Sequence, residues 1–289
     1  MIDTIVVCGA TASGKTAYSL QLAEKQDIEI ISADSRQVYK FLTIGTAKPS
    51  ASEMQKVKHH YIDILMPDAN YSAGEYGEQA YATLIDIAER GKTPVIVGGS
   101  GLYIKSLCEG LFKEDTPVDV GIRNKLEMEL QANGIDTLYN KLKEVDAPLY
   151  NLYSDRNPRR VLRALEYYYS NGIRLSDAYA NKPSRDRIKP RYVFIDVARD
   201  VLYDKINRRV MQMWEDGLVD ETESVLNMGY SPTLNSLNTV GYKETIVYLN
   251  GDMSLDTAIS EIQKNTRHYA KRQLTWLRKF ILEEKLSEL

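Results

Sequence analysis

Residues 9–16, Gly9-Ala10-Thr11-Ala12-Ser13-Gly14-Lys15-Thr16, match G-x-x-x-x-G-K-[ST] at every fixed position. The motif demands a tight turn between a strand and a helix, because that turn folds backbone N–H groups around an anion at a helix N-terminus. The flanks comply. Thr4-Ile5-Val6-Val7-Cys8 is a β-branched apolar run suited to a buried strand, and Ala17 to Lys25 reads as the helix. Glycine lets backbone approach phosphate, Lys15 adds a point charge, and the Thr16 hydroxyl can hold Mg²⁺. The bland alternative is a plain strand-to-helix turn. The loop names a phosphate, not a reaction.

A loop of this kind needs an α/β sheet around it, and 289 residues with 43% hydrophobic side chains can fill one large α/β domain, with or without an inserted lobe. Cys8 and Cys108 make neither a disulfide framework nor a metal cluster, which points to a reducing compartment, the cytosol. No leader-like N-terminus and no apolar run near 18 residues is visible, so neither secretion nor membrane spanning is expected. A net charge of −3 makes no global case for nucleic acid, although charge is uneven along the chain.

Ile28 to Ser32 reads as a second buried strand, ending at Ala33-Asp34-Ser35-Arg36-Gln37-Val38-Tyr39. Ligands of open α/β sheets bind outside the carboxyl ends of strands, so Asp34 either faces the loop's phosphates or merely caps the next turn. His60 to Leu65 looks like another strand. Lys58, His59 and His60 invite a metal or acid-base role, but adjacent histidines on a strand face opposite sides and no cysteine joins them. Tyr76, Ala80, Leu84, Ile87 and Ala88 fall at helical spacing between Glu75 and Arg90, with Gly91 as a C-terminal cap. Pro94 to Val97 is the next strand. The glycines of Gly98-Gly99-Ser100-Gly101 make either a tight turn or a second wall of the phosphate site.

Beyond Phe112 strand signals vanish, and a helical insertion is expected from Lys113 to Lys189. Within it Pro158 suits a helix start, with Val161, Leu162, Leu165, Tyr168 and Tyr169 on one face and Arg159, Arg160 and Arg163 on the other. Arg156, Arg174, Lys182, Arg185, Arg187, Lys189 and Arg191 continue the basic trend, explained by a solvated face or by phosphate contact. Arg191 to Val197 returns to strand. Leu202, Ile206, Arg209 and Met213 then place Arg209 on or beside an inward stripe, costly unless it meets an anion or an internal ion pair. The last hundred residues are helical in pattern, interrupted by Gly229, Pro232 and Gly241. Lys264, Arg267, Lys271 and Arg278 gather in a sector about 60° wide, a stripe about 20 Å long. Tyr269, Trp276 and Phe280 lie on another side, as core filler or stacking platforms. The expected class is α/β: a P-loop-type parallel sheet core flanked by helices over 1–112 and 190–289, with a helical insertion domain at 113–189 and a helical C-terminal region.

Seven segments together resemble the tRNA dimethylallyltransferases, also called tRNA isopentenyltransferases. They are Gly9 to Thr16, Ala33 to Tyr39, Ile44-Gly45-Thr46-Ala47-Lys48, Gly98-Gly99-Ser100-Gly101-Leu102-Tyr103, Asn157-Pro158-Arg159-Arg160-Val161-Leu162-Arg163-Ala164-Leu165-Glu166, Val240-Gly241-Tyr242-Lys243-Glu244 and Ala270-Lys271-Arg272-Gln273-Leu274-Thr275-Trp276-Leu277-Arg278. The resemblance implies transfer of a dimethylallyl group from dimethylallyl diphosphate to N6 of the adenosine 3′-adjacent to a tRNA anticodon, with Mg²⁺. Gly9 to Thr16 would hold diphosphate, with Thr16 as metal ligand. Asp34 would be the general base, Ser100 a hydroxyl at the reacting centre, and Arg209 a further diphosphate partner. Asp34, Ser35, Arg36, Gln37, Arg159, Arg160, Val161, Leu162, Arg163, Gly241, Tyr242, Lys243, Lys271, Arg272, Gln273, Trp276 and Arg278 would meet the tRNA anticodon stem-loop. The implied partners are tRNA and dimethylallyl diphosphate, not a membrane, with a monomer as the default state. Ser100 stands where the family usually has Thr, and Ala10 where it often has Pro. Rival assignments are an isopentenyltransferase for free adenine nucleotides, a P-loop small-molecule kinase, and a non-catalytic RNA-binding protein, which would need neither Asp34 nor the intact loop.

Overall fold

Five strands, β1 (Ile2–Gly9), β2 (Ile28–Ala33), β3 (His59–His60), β4 (Thr93–Gly98) and β5 (Ile188–Ile195), pair in parallel in the order β3-β2-β4-β1-β5. The computed structural model describes residues 1–112 and 119–287. Both faces of this sheet are covered, as β-branched runs without polar alternation require. Ile5, Val7, Ile30 and Val95 pack on one face with Tyr18, Leu20 and Leu22 of α1 (Lys15–Ala23). Val6, Cys8, Ile31 and Ile96 point the other way, against Tyr76, Leu84 and Ile87 of α3 (Ala73–Glu89) and Ile104 and Leu107 of α4 (Gly101–Glu109). The helix between these strands and sheet edge, α2, spans Ala51–Lys56.

Register sets where the chain can bind anything. Gly98 pairs with both Cys8 and Ala33, so the carboxyl ends of β1, β4 and β2 lie side by side and open one crevice. Only glycine fits at 98, since a Cβ there would meet the Ala33 carbonyl oxygen at 2.1 Å.

The chain divides into two compact units, Met1–Cys108 with Arg185–Leu289, and Glu109–Ser184. The expected insertion start, Lys113, lies outside the described residues, and Arg185 to Lys189 go with the sheet. The described part of the smaller unit is helical: α5 (Val120–Val145, bent at Gly134), α6 (Ala147–Leu152), α7 (Pro158–Asn171) and α8 (Leu175–Ala180). Leu126, Leu138, Leu142, Val161, Leu165 and Leu175 fill its core. Buried Asp146 accepts from the N–H of Leu149 at 3.2 Å and of Ser176 at 3.0 Å, capping α6 and holding the start of α8. Tyr169 departs from the expected inward face and is 45% exposed. Three consecutive tyrosines at 100° per residue cannot share a face, and Tyr167 takes the core side.

In the larger unit the C-terminal region forms α9 (Arg199–Glu215), α10 (Leu218–Asn227), α11 (Tyr242–Leu249) and α12 (Leu255–Ser287). Two strand expectations change. The run from His60 to Leu65 is not a strand, because Tyr61 and Asp63 take left-handed φ of 65° and 56° and only His59–His60 pairs in the sheet. Asp63 is drawn aside by an ion pair with buried Lys48 and by its N–H donating to the Gln37 carbonyl at 3.1 Å. The last strand starts at Ile188 rather than Arg191, and Pro190 is tolerated because β5 is an edge strand. No helix of the described residues is long and apolar enough to cross a membrane.

Candidate active site

The turn from β1 into α1 is built from the motif glycines. Gly14 has φ 101°, and a Cβ at Gly9 would meet the Ile195 carbonyl oxygen at 2.8 Å. Ala10 and Ala12 pack under Leu202 and Ile206 of α9 and Ala270 of α12, fixing the loop from outside. Lys15 lies along the loop, its Nζ donating to the carbonyls of Gly9 at 3.1 Å and Ala10 at 2.7 Å. Although part of the residue touches solvent, desolvation pushes its ammonium down to about 8, Asp34 resists that shift, and the Arg209 charge adds to it.

Arg209 on α9 reaches the same loop, with Nη1 3.5 Å from Thr11 Oγ1, at the limit of hydrogen bonding. Burial lowers the guanidinium pKa as well. Among the described residues no carboxylate lies within salt-bridge distance of Lys15 or Arg209. Of the two explanations for an inward arginine, the internal ion pair is therefore missing.

Asp34 follows the end of β2. Its Oδ1 accepts from the N–H of Arg36 at 2.9 Å and of Gln37 at 3.4 Å, so the turn-capping role is real. The second role is compatible with it, because the same carboxylate acts on Lys15 across the crevice. Ser100, after β4, bridges toward this turn: its Oγ accepts from Ser35 N–H at 3.1 Å and donates to Ser35 Oγ at 3.3 Å. On α12, burial, then the Asp34 charge, push the Tyr269 phenol up to about 12, with the neighbouring Ser100 hydroxyl opposing the shift. Asp34, Ser100, Lys15 and Arg209 thus converge from four segments. Tyr269, which the sequence leaves between core filler and stacking platform, borders this group, one turn before Gln273 on α12.

Residues 37–280 match the family described as IPP transferase. The chain belongs to this family. A tRNA dimethylallyltransferase of Acetivibrio thermocellus is 41% identical over 283 residues, 96% of this chain and 90% of that protein. One of Thermotoga neapolitana is 42% identical over 276 residues, 95% of this chain and 89% of that protein. The crystal structure of a tRNA isopentenylpyrophosphate transferase from Bacillus halodurans superposes with TM-score 0.68 at 38% identity, covering 96% of this chain and 87% of that one. A eukaryotic dimethylallyltransferase acting on tRNA gives TM-score 0.77 at 27% identity, covering 96% and 70%.

In this IPP transferase family member the other motif residues divide by exposure. Arg159, Arg160, Lys243, Lys271, Arg272 and Arg278 are exposed, and Leu162 and Arg163 partly so. Val161 and Tyr242 are fully buried and Gln273 is 7% exposed, so packing takes their side chains away from any macromolecular surface. Tyr242 stacks under Gly45, where a Cβ would meet its ring at 2.5 Å, and Gly241 has φ 103° beside it. Arg36 donates to the Asn235 carbonyl at 2.7 Å, while the Gln37 amide donates to the carbonyls of Thr46 at 3.3 Å and Ala47 at 3.1 Å. Glu221, singled out by no motif, accepts from the N–H groups of Thr43, Ile44 and Gly45 at 2.9–3.2 Å and from the Tyr242 hydroxyl at 2.6 Å.

The basic stripe on α12 is partly compensated. Arg278 pairs with Asp196 at 3.0 Å, Lys264 with Glu261 at 3.0 Å, and Arg267 donates to Asn207 Oδ1 at 2.7 Å. Lys271 has no such partner among the described residues. Trp276 packs as core, stacked on Phe280 with centroids 5.0 Å apart and covering Gly101. His60 is structural too: its Nε2 donates to buried Glu29 at 2.7 Å, and no group of metal-ligand residues occurs among the described residues.

Proposed function

We infer that this chain is a tRNA-modifying prenyltransferase, moving a dimethylallyl group from dimethylallyl diphosphate to N6 of the adenosine 3′-adjacent to the anticodon. One observation carries the site assignment: two desolvated cations, Lys15 and Arg209, share one loop without a counter-anion, opposite the carboxylate of Asp34. A plain strand-to-helix turn would not gather them, since each uncompensated charge costs stability.

The chemistry follows from that arrangement. The adenine N6 lone pair is delocalised into the ring, so attack on C1 of the allyl group is helped when Asp34 takes the departing proton. The new N6–C1 bond forms as the C1–O bond breaks, and the electron pair leaves on diphosphate. Loop N–H groups, Lys15 and Arg209 face that growing charge. Asp34 is held for this role by the two backbone N–H groups on its Oδ1. Ser100, held by Ser35, keeps a hydroxyl beside the reacting pair, so Ser in place of the usual Thr retains the polar contact.

The residues present also fit Mg²⁺. The Ser13 hydroxyl is buried without a partner among the described residues, and the Thr16 hydroxyl makes no hydrogen bond among them. Both are hard oxygen donors beside an anion site. Held at Thr16, the ion would supply positive charge against the leaving diphosphate. A stacked base cannot reach a buried allyl carbon, so the adenosine is flipped out. Exposed Arg159, Arg160, Lys271 and Arg272 bind the RNA backbone, a sequence-independent grip.

Incubation with unmodified tRNA and labelled dimethylallyl diphosphate, followed by nucleoside analysis, tests the assignment. Label on adenosine next to the anticodon is expected. Label on free adenine nucleotides alone, or transfer of γ-phosphate from ATP to an acceptor, would overturn it.

A further inference from the structure

The resemblance assigns Gln273 to tRNA, but its surroundings lie inside the protein. Its Oε1 accepts from the Thr11 N–H at 2.8 Å, and its Nε2 donates to the Gly99 carbonyl at 3.0 Å. One planar amide therefore ties the loop after β1 to the loop after β4, two segments that Cys8–Gly98 pairing already brings side by side. The fit is close, since a Cβ at Gly99 would come within 2.3 Å of Nε2. Thr11 is held twice, by Gln273 at its N–H and by Arg209 at its hydroxyl. One helical turn earlier on α12, Tyr269 lies beside Ser100 and Asp34.

The two contacts have opposite polarity. Thr11 needs an acceptor and Gly99 needs a donor, which among side chains of this length only glutamine supplies in one group. Holding the first half of the loop by a side chain also leaves the later N–H groups, at residues 14–16, free among the described residues to face an anion.

We propose that Gln273 is a positioning residue for the diphosphate, clamping the Thr11 and Gly99 walls so that the loop, Lys15 and Arg209 converge, and that it is not an RNA contact. The proposal rests on the assignment of the loop to a diphosphate. It commits to a polarity: replacing the amide by a carboxylate keeps the Thr11 bond but sets oxygen against oxygen at Gly99, until the acid is protonated.

Binding of inorganic pyrophosphate, measured calorimetrically in Mg²⁺ buffer without RNA, separates the two ideas. Wild-type protein that fails to bind pyrophosphate sinks the loop assignment, whatever Gln273 does. Given wild-type binding, Gln273→Glu should weaken it by about tenfold or more at pH 8, from one lost and one repulsive contact, with affinity recovering toward wild type as pH falls. Gln273→Met, of similar volume, should show a similar loss without recovery, and serves alone if the Glu variant does not fold. Affinity for tRNA and its salt dependence should stay at wild-type values in either variant. Unchanged pyrophosphate affinity, a variant-to-wild-type ratio for Gln273→Glu that ignores pH, or a lower tRNA affinity with a shallower salt slope would each overturn the proposal.

Discussion

Charge is gathered at both ends of the central strands, and the two gatherings are built in opposite ways. Near the amino end of β2, buried Glu29 is met by Arg90 Nη2 at 2.7 Å and His60 Nε2 at 2.7 Å, with Lys92 at 3.6 Å and Lys58 at 3.8 Å. Hydrogen bonding from Arg90 above all holds its carboxyl down at about 2, against the opposing effect of burial. At the carboxyl end of β1, Lys15 and Arg209 are desolvated with no carboxylate close enough to pair. The first cluster is complete within the fold, so its charges serve stability. The second is incomplete, and under the proposed function its missing member is the diphosphate. His60 belongs with the first, while His59 Nδ1 meets the Val57 carbonyl at 2.9 Å instead.

The largest effect should come from the acid that faces the incomplete cluster. Asp34→Ala should lower turnover by about 10²–10⁴-fold, the range for losing a general base, with tRNA affinity nearly intact. Single-turnover rates and filter binding check this, and equal loss of both would make Asp34 a binding residue. Next, Arg209→Gln should cost about 10²-fold in turnover as one anion-facing donor is lost. The same variant should keep or raise the melting temperature, because an uncompensated buried charge is removed. A clear fall in melting temperature would show that Arg209 has an internal partner and would erase the contrast drawn above.

Glu29→Gln probes the complete cluster and should do the reverse. A folded pKa near 2 against 4.5 for the free carboxyl means that stability is present above about pH 4.5 and is lost as pH falls toward 2. For a carboxylate whose side chain is 3% exposed, that difference is on the order of 3 kcal/mol. The variant should therefore unfold more easily at pH 7, with a flatter acid limb in a denaturation series and little change in turnover per folded molecule. An unaltered acid limb would mean that the Glu29 partners contribute nothing net.

How much of this was legible in the chain depends on sequence separation. The phosphate loop, the crossover helices and Asp34 are written in local patterns, a motif, a period or a strand end, and the structure places the loop and Asp34 at one crevice and the helices on the sheet faces. Gln273 to Thr11 spans 262 residues and Arg278 to Asp196 spans 82, so neither the clamp nor the partial neutralisation of the α12 stripe has a local signature. Glu221 organises a loop 176–178 residues away for the same reason. The strand expected from His60 to Leu65 fails on backbone grounds: Tyr61 and Asp63 adopt left-handed backbone that residues with side chains rarely take, and Asp63 is held by Lys48 and Gln37 from elsewhere.

The smallest effect tests whether incompleteness extends to the surface. Along α12, Lys264 and Arg278 have carboxylate partners and Lys271 has none among the described residues. If lacking a partner marks a cation that serves an external anion, Lys271 should contact an RNA phosphate while Lys264 contributes little. Lys271→Ala should then weaken tRNA binding a few-fold, and reduce the slope of log affinity against log salt by about 1. Lys264→Ala should leave both nearly unchanged, because its charge is already spent on Glu261. Equal slopes in the two variants would show that exposure alone, rather than a missing partner, decides which surface cations bind RNA, and would confine the rule drawn from Lys15 and Arg209 to desolvated sites.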